Sequence, residues 1–300
     1  MNNLFQQLPS LGIGASLSLS SEPDPVELVR QPGGPSFIEY AGLVDVDAVI
    51  EEVLRIQEAG AELLFHPAYI NFCGSFPNST SWLEETARHI QRINSPWFAQ
   101  DLAYCFWQQG HGYSTQLGYF LPPLFNRETL KTAITRIREV QAIVPVPVAI
   151  EPPPMTFFAG SMPLLGFFGE LAEATNCALL LDMGHLVSYE MASGNLITNE
   201  LHLLNRERVI EVHIAGGRLE TGDPEREPIY IDAHDQPILD QSWQMFDQLL
   251  PTLPNLKAVC FECEGSDSKT VLHTLETITQ RVEELSCSQS LLNRLRANRS

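Results

Sequence analysis

The sequence predicts an α/β fold, a single closed (β/α)8 barrel, and three observations predict it. Eight short apolar runs rich in β-branched or aromatic residues recur along the 300 residues. Amphipathic stretches of helical period lie between them. No Ser-, Gly- or Pro-rich linker is long enough to separate two cores. Alternating strand and helix units build a parallel sheet, and eight such units close into a barrel. The barrel is expected over residues 1–286, and residues 287–300 form a basic tail that carries Arg294, Arg296 and Arg299 without an acid.

In chain order the expected strands are LGIGASLSL (11–19), SFIEYAGL (36–43), LLFHPAYI (63–70), WFAQDLAY (97–104), VPVAIEPPP (146–154), ALLLDMGH (178–185), VIEVHIAG (209–216) and KAVCFECEG (257–265). GIGAS in the first run lacks the third glycine and the helix that a phosphate loop needs. After the second run, VDAVIEEVLRIQEAG places Val46, Val49, Ile50, Val53, Leu54 and Ile56 at helical spacing before Gly60 ends it. ETLKTAITRIREVQAIV and SKTVLHTLETITQRVEEL have the same period. Two long insertions, FWQQGHGYSTQLGYFLPPLF and GRLETGDPEREPIYIDAHDQP, follow the fourth and seventh runs, at the strand ends where barrels build their sites.

Composition narrows the function classes. The formal net charge of −19 repels polyphosphate, so nucleic acid is not an expected partner. No apolar run approaches the roughly 18 residues that span a bilayer, and MNNLFQQLPS has no charged n-region followed by an apolar stretch. A cytoplasmic protein off the membrane is expected. The six cysteines lack framework spacing, and the CxxC of Cys260 and Cys263 lies in a run that reads as a strand rather than as a redox or zinc pair.

The polar residues within the apolar runs fall into order. Glu39 ends the second strand, His66 the third, Asp101 the fourth, Glu151 the fifth, Asp182 with His185 the sixth, Glu211 and His213 the seventh, and Glu262 the eighth. Asp232 and His234 sit in the loop after the seventh. Gathered at one barrel end, so many carboxylates would protonate unless cations offset them, and the runs hold almost no Lys or Arg. Divalent metal ions supply that charge, and seven carboxylates offset about three of them, so two or three ions are expected. Asp, Glu and His without cysteine favour iron, manganese or zinc in an open site. The candidate ligands are His66, Asp101, Glu151, Asp182, His185, His213, Asp232, His234 and Glu262; Glu39 and Glu211 are assigned catalytic roles. His89, His202 and His273 are expected on helix surfaces, and His111, in the first insertion, stays open as a contact to metal or substrate.

At these residues the chain resembles the DUF692 (UPF0276) family of multinuclear non-haem iron-dependent oxidative enzymes, within the xylose isomerase-like TIM barrels. EVHIAG (211–216) and IDAHDQPI (231–238) look like that family's EIHLAG and DTHxxPV motifs, and FIEY, HPAY, IEP, LLLDMGH and FECEG stand in its order. The resemblance implies a barrel with two or three irons and dioxygen as co-substrate. It also implies hydrogen abstraction from a cysteine of a ribosomally made peptide, often with a small leader-binding partner protein. The sequence departs from the pattern at AQDLA, where Asp101 replaces a common ligand histidine, at Glu151-Pro152 for EN, at LLDMGH for LLDVNN, and at Gly217, where another histidine is frequent. Glu151, Asp182, His185, His213, Asp232, His234 and Glu262 are also arranged like the zinc ligands of the apurinic-site endonucleases. They are arranged more loosely like those of the sugar isomerases, in which Glu151 or Glu262 would be the base. A metal-binding protein without activity is the remaining alternative.

Overall fold

The computed structural model describes residues 4–20, 22–42, 45–109, 113–221, 228–285 and Leu295. Twelve strands are present among them: β1 (Gly12–Ser16), β2 (Phe37–Tyr40), β3 (Glu62–Phe65), β4 (Phe98–Asp101), β5 (Tyr104–Gln109), β6 (Tyr113–Leu121), β7 (Val148–Glu151), β8 (Ala178–Asp182), β9 (Val209–Ala215), β10 (Gly217–Glu220), β11 (Ile229–Asp232) and β12 (Ala258–Glu262). Eight of them close a barrel in the order β1-β12-β9-β8-β7-β4-β3-β2, every pair parallel. Seven fall inside the runs expected to be strands, and β3 begins at Glu62, one residue before its run.

The α-helices are α1 (Pro25–Arg30), α2 (Ile50–Ala59), α3 (Thr80–Ile93), α4 (Arg127–Gln141), α5 (Leu164–Thr175), α6 (Met183–Ser193), α7 (Ile197–Glu200), α8 (Asp240–Leu249) and α9 (Ser268–Leu285). Local chemistry sets their ends. Asn126 caps α4 by accepting from the amides of Glu128 and Thr129, and α2 stops at Gly60, whose φ of 98° suits a residue without a Cβ. Val53 and Ile56 of α2 face the core, but Leu54 is exposed, so the buried stripe is narrower than the sequence pattern implies.

The two insertions are β-hairpins rather than open loops. β5 pairs with β6 and β10 with β11, each antiparallel and each following a barrel strand at its C-terminal end. His111, Cys287 and the three tail arginines lie outside the described residues. No helix among the described residues is long and apolar enough to cross a membrane.

Inside the barrel a lower layer is apolar. Phe5 and Leu11 close the bottom beneath Phe37, Leu64, Trp97, Leu180, Ile210 and Cys260, with alanines at positions 99, 149, 178 and 258 leaving room for the rings. Gly14 belongs to this layer, since a Cβ there would overlap the Phe37 ring. Side chains two residues apart share a strand face. Phe37 is thus followed on the inside by Glu39, Leu64 by His66, Ala99 by Asp101, Ala149 by Glu151, Leu180 by Asp182 and Cys260 by Glu262. A dry plug below and a ring of ligand-type side chains above follow from one alternation.

Candidate metal centre

The structure brings together all eleven site residues read from the sequence. Glu39, Asp101, Glu151, Asp182 and Glu262 lie at or beside the C-terminal ends of barrel strands, and His66 is one residue past β3. Glu211 and His213 lie within β9, Glu211 one pleat deeper. His185 is not a strand residue: it stands in the first turn of α6, whose N-cap is Asp182, and the Asp182 carboxylate accepts from the His185 amide at 2.7 Å. Asp232 ends β11 and His234 follows in the turn, so the hairpin folds these two back over the mouth. Gly216 permits that fold, because a Cβ there would overlap the Gln236 carbonyl oxygen.

His66, His213 and His234 each have one nitrogen held by a glutamate and the other facing further carboxylates, while both nitrogens of His185 face carboxylates. His66 Nδ1 lies 2.6 Å from Glu39 Oε1, while its Nε2 is 3.4 Å from Glu151 and 3.5 Å from Asp101. His213 Nε2 donates to Glu39 Oε2 at 3.1 Å, leaving Nδ1 toward Glu262 at 3.3 Å. His185 Nδ1 lies 2.9 Å from the Pro152 carbonyl oxygen and 3.0 Å from Glu151 Oε1, and its Nε2 faces Asp232 at 3.4 Å. His234 Nδ1 lies 2.6 Å from Glu264 Oε2, and its Nε2 is 3.2 Å from Asp232 and 3.6 Å from Glu262. An outward bond that fixes the tautomer and leaves the other nitrogen for a cation is the arrangement of metal-ligating histidines. Glu39 serves two histidines at once. Pro152, at a departure from the family pattern, contributes the one atom that matters here, its carbonyl oxygen.

The remaining polar atoms test whether cations fit. Buried and without a hydrogen-bond partner among the described residues are Asp101 Oδ1, Glu151 Oε1, Asp182 Oδ2, Glu211 Oε1, His213 Nδ1, Asp232 Oδ1 and Glu262 Oε2. So dense a set of orphaned donor atoms is costly unless something held between them satisfies it. Four overlapping triads have donor atoms within 4.8 Å of one another: Asp101, Glu151 and His185; Asp182, His213 and Glu262; His66, Glu151 and His213; and Glu39, His213 and Cys260. Burial pushes Glu151 up to about 8 with the Asp101 charge adding to it, and pushes Glu211 up to about 7 with Glu39 adding to it. Against burial, the neighbouring carboxylates hold His66, His185 and His213 well above the usual imidazole range and His234 up at about 12. Protons thus stand in where cations would, and the donor set fits divalent metal ions.

Several participants escape the sequence reading. Glu264, two residues beyond Glu262, holds His234 and is itself held by the Ser16 hydroxyl at 2.5 Å. Trp97 donates to Glu211 Oε2 at 2.6 Å from the plug below. His89, expected on a surface, is buried: it stacks on Phe65 with centroids 3.9 Å apart and lies 2.6 Å from the Tyr40 hydroxyl. Its position beside Leu83, Thr86, Ile90 and Ile93 on the inward face of α3 is the missed signal. His202 and His273 are exposed as expected. Cys260 faces the barrel interior and Cys263 the outer core, where its thiol reaches the Ser16 carbonyl, so the CxxC does not form a paired site.

Glu264→Gln is expected to lower metal affinity about 10- to 100-fold at the position His234 serves, the usual cost of losing a partner behind a ligand. Metal titration of the chelated protein checks it. An unchanged isotherm would mean that His234 is held without Glu264.

A family model for the RiPP precursor modification enzyme MbnB/TglH/ChrH matches residues 36–284. The chain belongs to this family. A UPF0276 protein of Neisseria meningitidis serogroup B is 28% identical over 207 residues, 67% of this chain and 69% of that protein. A UPF0276 protein of Rhizobium meliloti is 29% identical over 139 residues, 46% of this chain and 45% of that protein, so the match spans under half of the Rhizobium protein's length. Among solved structures, D-allulose 3-epimerase from Methylomonas sp. aligns with a TM-score of 0.58 at 14% identity, covering 91% of this chain and 98% of that one. Endonuclease IV from Thermus thermophilus aligns with 0.54 at 15%, covering 91% and 99%. These likenesses show the TIM-barrel fold. The clustered donors are a candidate metal centre.

Proposed function

We propose that the chain is an iron-dependent oxidative enzyme that modifies a residue, cysteine foremost, of a ribosomally synthesised peptide, with a small leader-binding protein as partner. The observation that carries this reading is the set of buried, unpartnered Asp, Glu and His donors at the barrel mouth of a member of a peptide-modifying family. His66, Asp101, Glu151 and His185 would hold ions on one side of the mouth, and Asp182, His213, Asp232, His234 and Glu262 on the other. Bound there, iron supplies the one-electron chemistry by which dioxygen takes hydrogen from a substrate.

The chain's own groups prepare the site. The apolar plug keeps water out from below. Glu39, Glu264 and the Pro152 carbonyl orient the imidazoles. Glu211, its Oε2 held by Trp97, keeps a proton available at Oε1, 3.7 Å from His213 Nε2, near neutral pH. Asp232 and His234 side chains are 23% exposed against 5% or less for Asp101, Glu151 and His185, so a peptide enters over the β10–β11 hairpin.

Elemental analysis of the full chain, expressed with iron and manganese supplied, is expected to show at least two metal ions. Dioxygen uptake is expected to accompany a mass change in a cysteine-containing precursor peptide. Less than one equivalent of metal would sink the reading, and sugar epimerisation without oxygen uptake would replace it with the isomerase alternative.

Asp101 adds a negative, hard oxygen where a histidine is common in the family. Asp101→His is expected to raise iron retention at that position and Asp101→Ala to empty it, read from metal content and absorption spectra beside the parent. If both variants match the parent, Asp101 is structural and another donor fills the position.

A further inference from the structure

We infer that Tyr230 is the hydrogen-bond donor to whatever small molecule or substrate atom occupies an open position on the ion held by Asp182, His213 and Glu262. The inference rests on the metal-centre reading and adds to it which ion exchanges its ligand.

Tyr230 comes from the hairpin strand β11, not from the barrel, and is 2% exposed. Its hydroxyl is buried and has no hydrogen-bond partner among the described residues, although Asp182, Asp232, His185 and Glu262 surround it. Two glycines make room for it. A Cβ on Gly184, in the first turn of α6, would overlap the hydroxyl and lie 3.1 Å from Asp182 Oδ1, so phenol and carboxylate flank one gap. A Cβ on Gly217 would collide with the phenol ring. The ring is therefore seated by the backbone rather than trapped by chance.

A buried phenol O–H normally finds an acceptor. Four acceptor-bearing side chains stand around this one, and none hydrogen-bonds it. A cation placed among Asp182, His213 and Glu262 accepts no hydrogen bond, so the missing acceptor must be a lone-pair atom that such a cation carries: a small anion or a heteroatom of the substrate. The phenol enters from the hairpin side, where Asp232 and His234 are partly exposed and a molecule from solvent can arrive. Asp182, of the Asp182, His213 and Glu262 triad, lies across the gap from the phenol, whereas neither Asp101 nor Glu151 of the other triad is among the charged groups around it. The exchangeable position thus belongs to the Asp182, His213 and Glu262 ion.

The test is isothermal titration of metal-loaded full chain with azide, a small anionic ligand, beside elemental analysis and thermal melting. Tyr230→Phe keeps the ring and removes the donor. It is expected to bind azide about tenfold more weakly than the parent, the size of one hydrogen bond to a charged acceptor, with metal content and melting unchanged. Gly217→Ala, which crowds the ring but keeps the phenol, is expected to weaken azide binding likewise, so the inference stays testable if Tyr230→Phe folds poorly. Parental azide affinity in the variants, or a metal-loaded parent that binds no azide, overturns the inference while the metal-centre reading stands. Loss of a metal equivalent in Tyr230→Phe also overturns it, making Tyr230 a ligand instead. A parent with less than one equivalent of metal fails the underlying reading and takes the inference with it.

Discussion

Metal content and activity are expected to collapse together in Asp182→Asn and His213→Ala while the barrel stays folded. His213 belongs to three of the four donor triads, so its loss disables more of the centre than any other single change. Its side chain lies above the apolar plug, which keeps its own packing. Asp182 requires a more careful substitution, because it is both a candidate ligand and the cap of α6. Alanine would remove the cap as well, at about 1 kcal/mol, and confuse a folding defect with a metal defect. Asparagine caps a helix nearly as well and removes the charge. Elemental analysis should show at least one ion lost from each variant, and circular dichroism should match the parent. Full metal occupancy in either variant would mean that ions, if bound, sit elsewhere in the mouth.

The barrel was legible because its strands are buried on both faces and read as unbroken apolar runs. A carboxylate or imidazole at the end of such a run stands out, as Glu39, Asp101, Glu151, Asp182 and Glu262 do. His185 was legible as a partner of Asp182 but not as a helix residue, since β8 passes into α6 with no loop residue between. What the pattern could not reveal depends on tertiary approach. Glu264 shares its strand end with Glu262, and only the fold shows it reaching Ser16 and His234. Tyr230 lies in a polar insertion, where an aromatic residue signals no more than a strand. The glycines of DMGH and AGG have no visible purpose until the hairpin carrying Tyr230 and His234 lies against them. His89 is buried, against the exposure expected of a helix histidine, because it lies on the inward face of α3.

Chelation is expected to lower the melting temperature by roughly 10 °C or more, and to reverse the direction in which stability depends on pH. The size follows from linkage. An ion present at about a thousand times its Kd adds about 4 kcal/mol, and in a chain of this size each kcal/mol moves the melting temperature by a few degrees. The reversal follows from the protons that replace the ions. In the metal-free fold His66, His185, His213 and His234 titrate above the unfolded imidazole, so the stability they add is complete below about pH 6.5 and is lost as pH rises through their folded values. Glu151, pushed up to about 8, and Glu211, up to about 7, act in the same sense, since above the usual carboxylate range the fold holds protons that the unfolded chain has released. Glu262, held down at about 2 by His234 and His213 against its burial, opposes them only below the ordinary carboxylate range. Between about pH 5 and 8 the chelated protein should therefore lose stability as pH rises. The metal-loaded protein should gain it over the same interval, because protons compete with ions for these same donors. Melting curves of both forms across that interval give two slopes. Parallel slopes would show that the ions do not bind where the histidines and carboxylates meet.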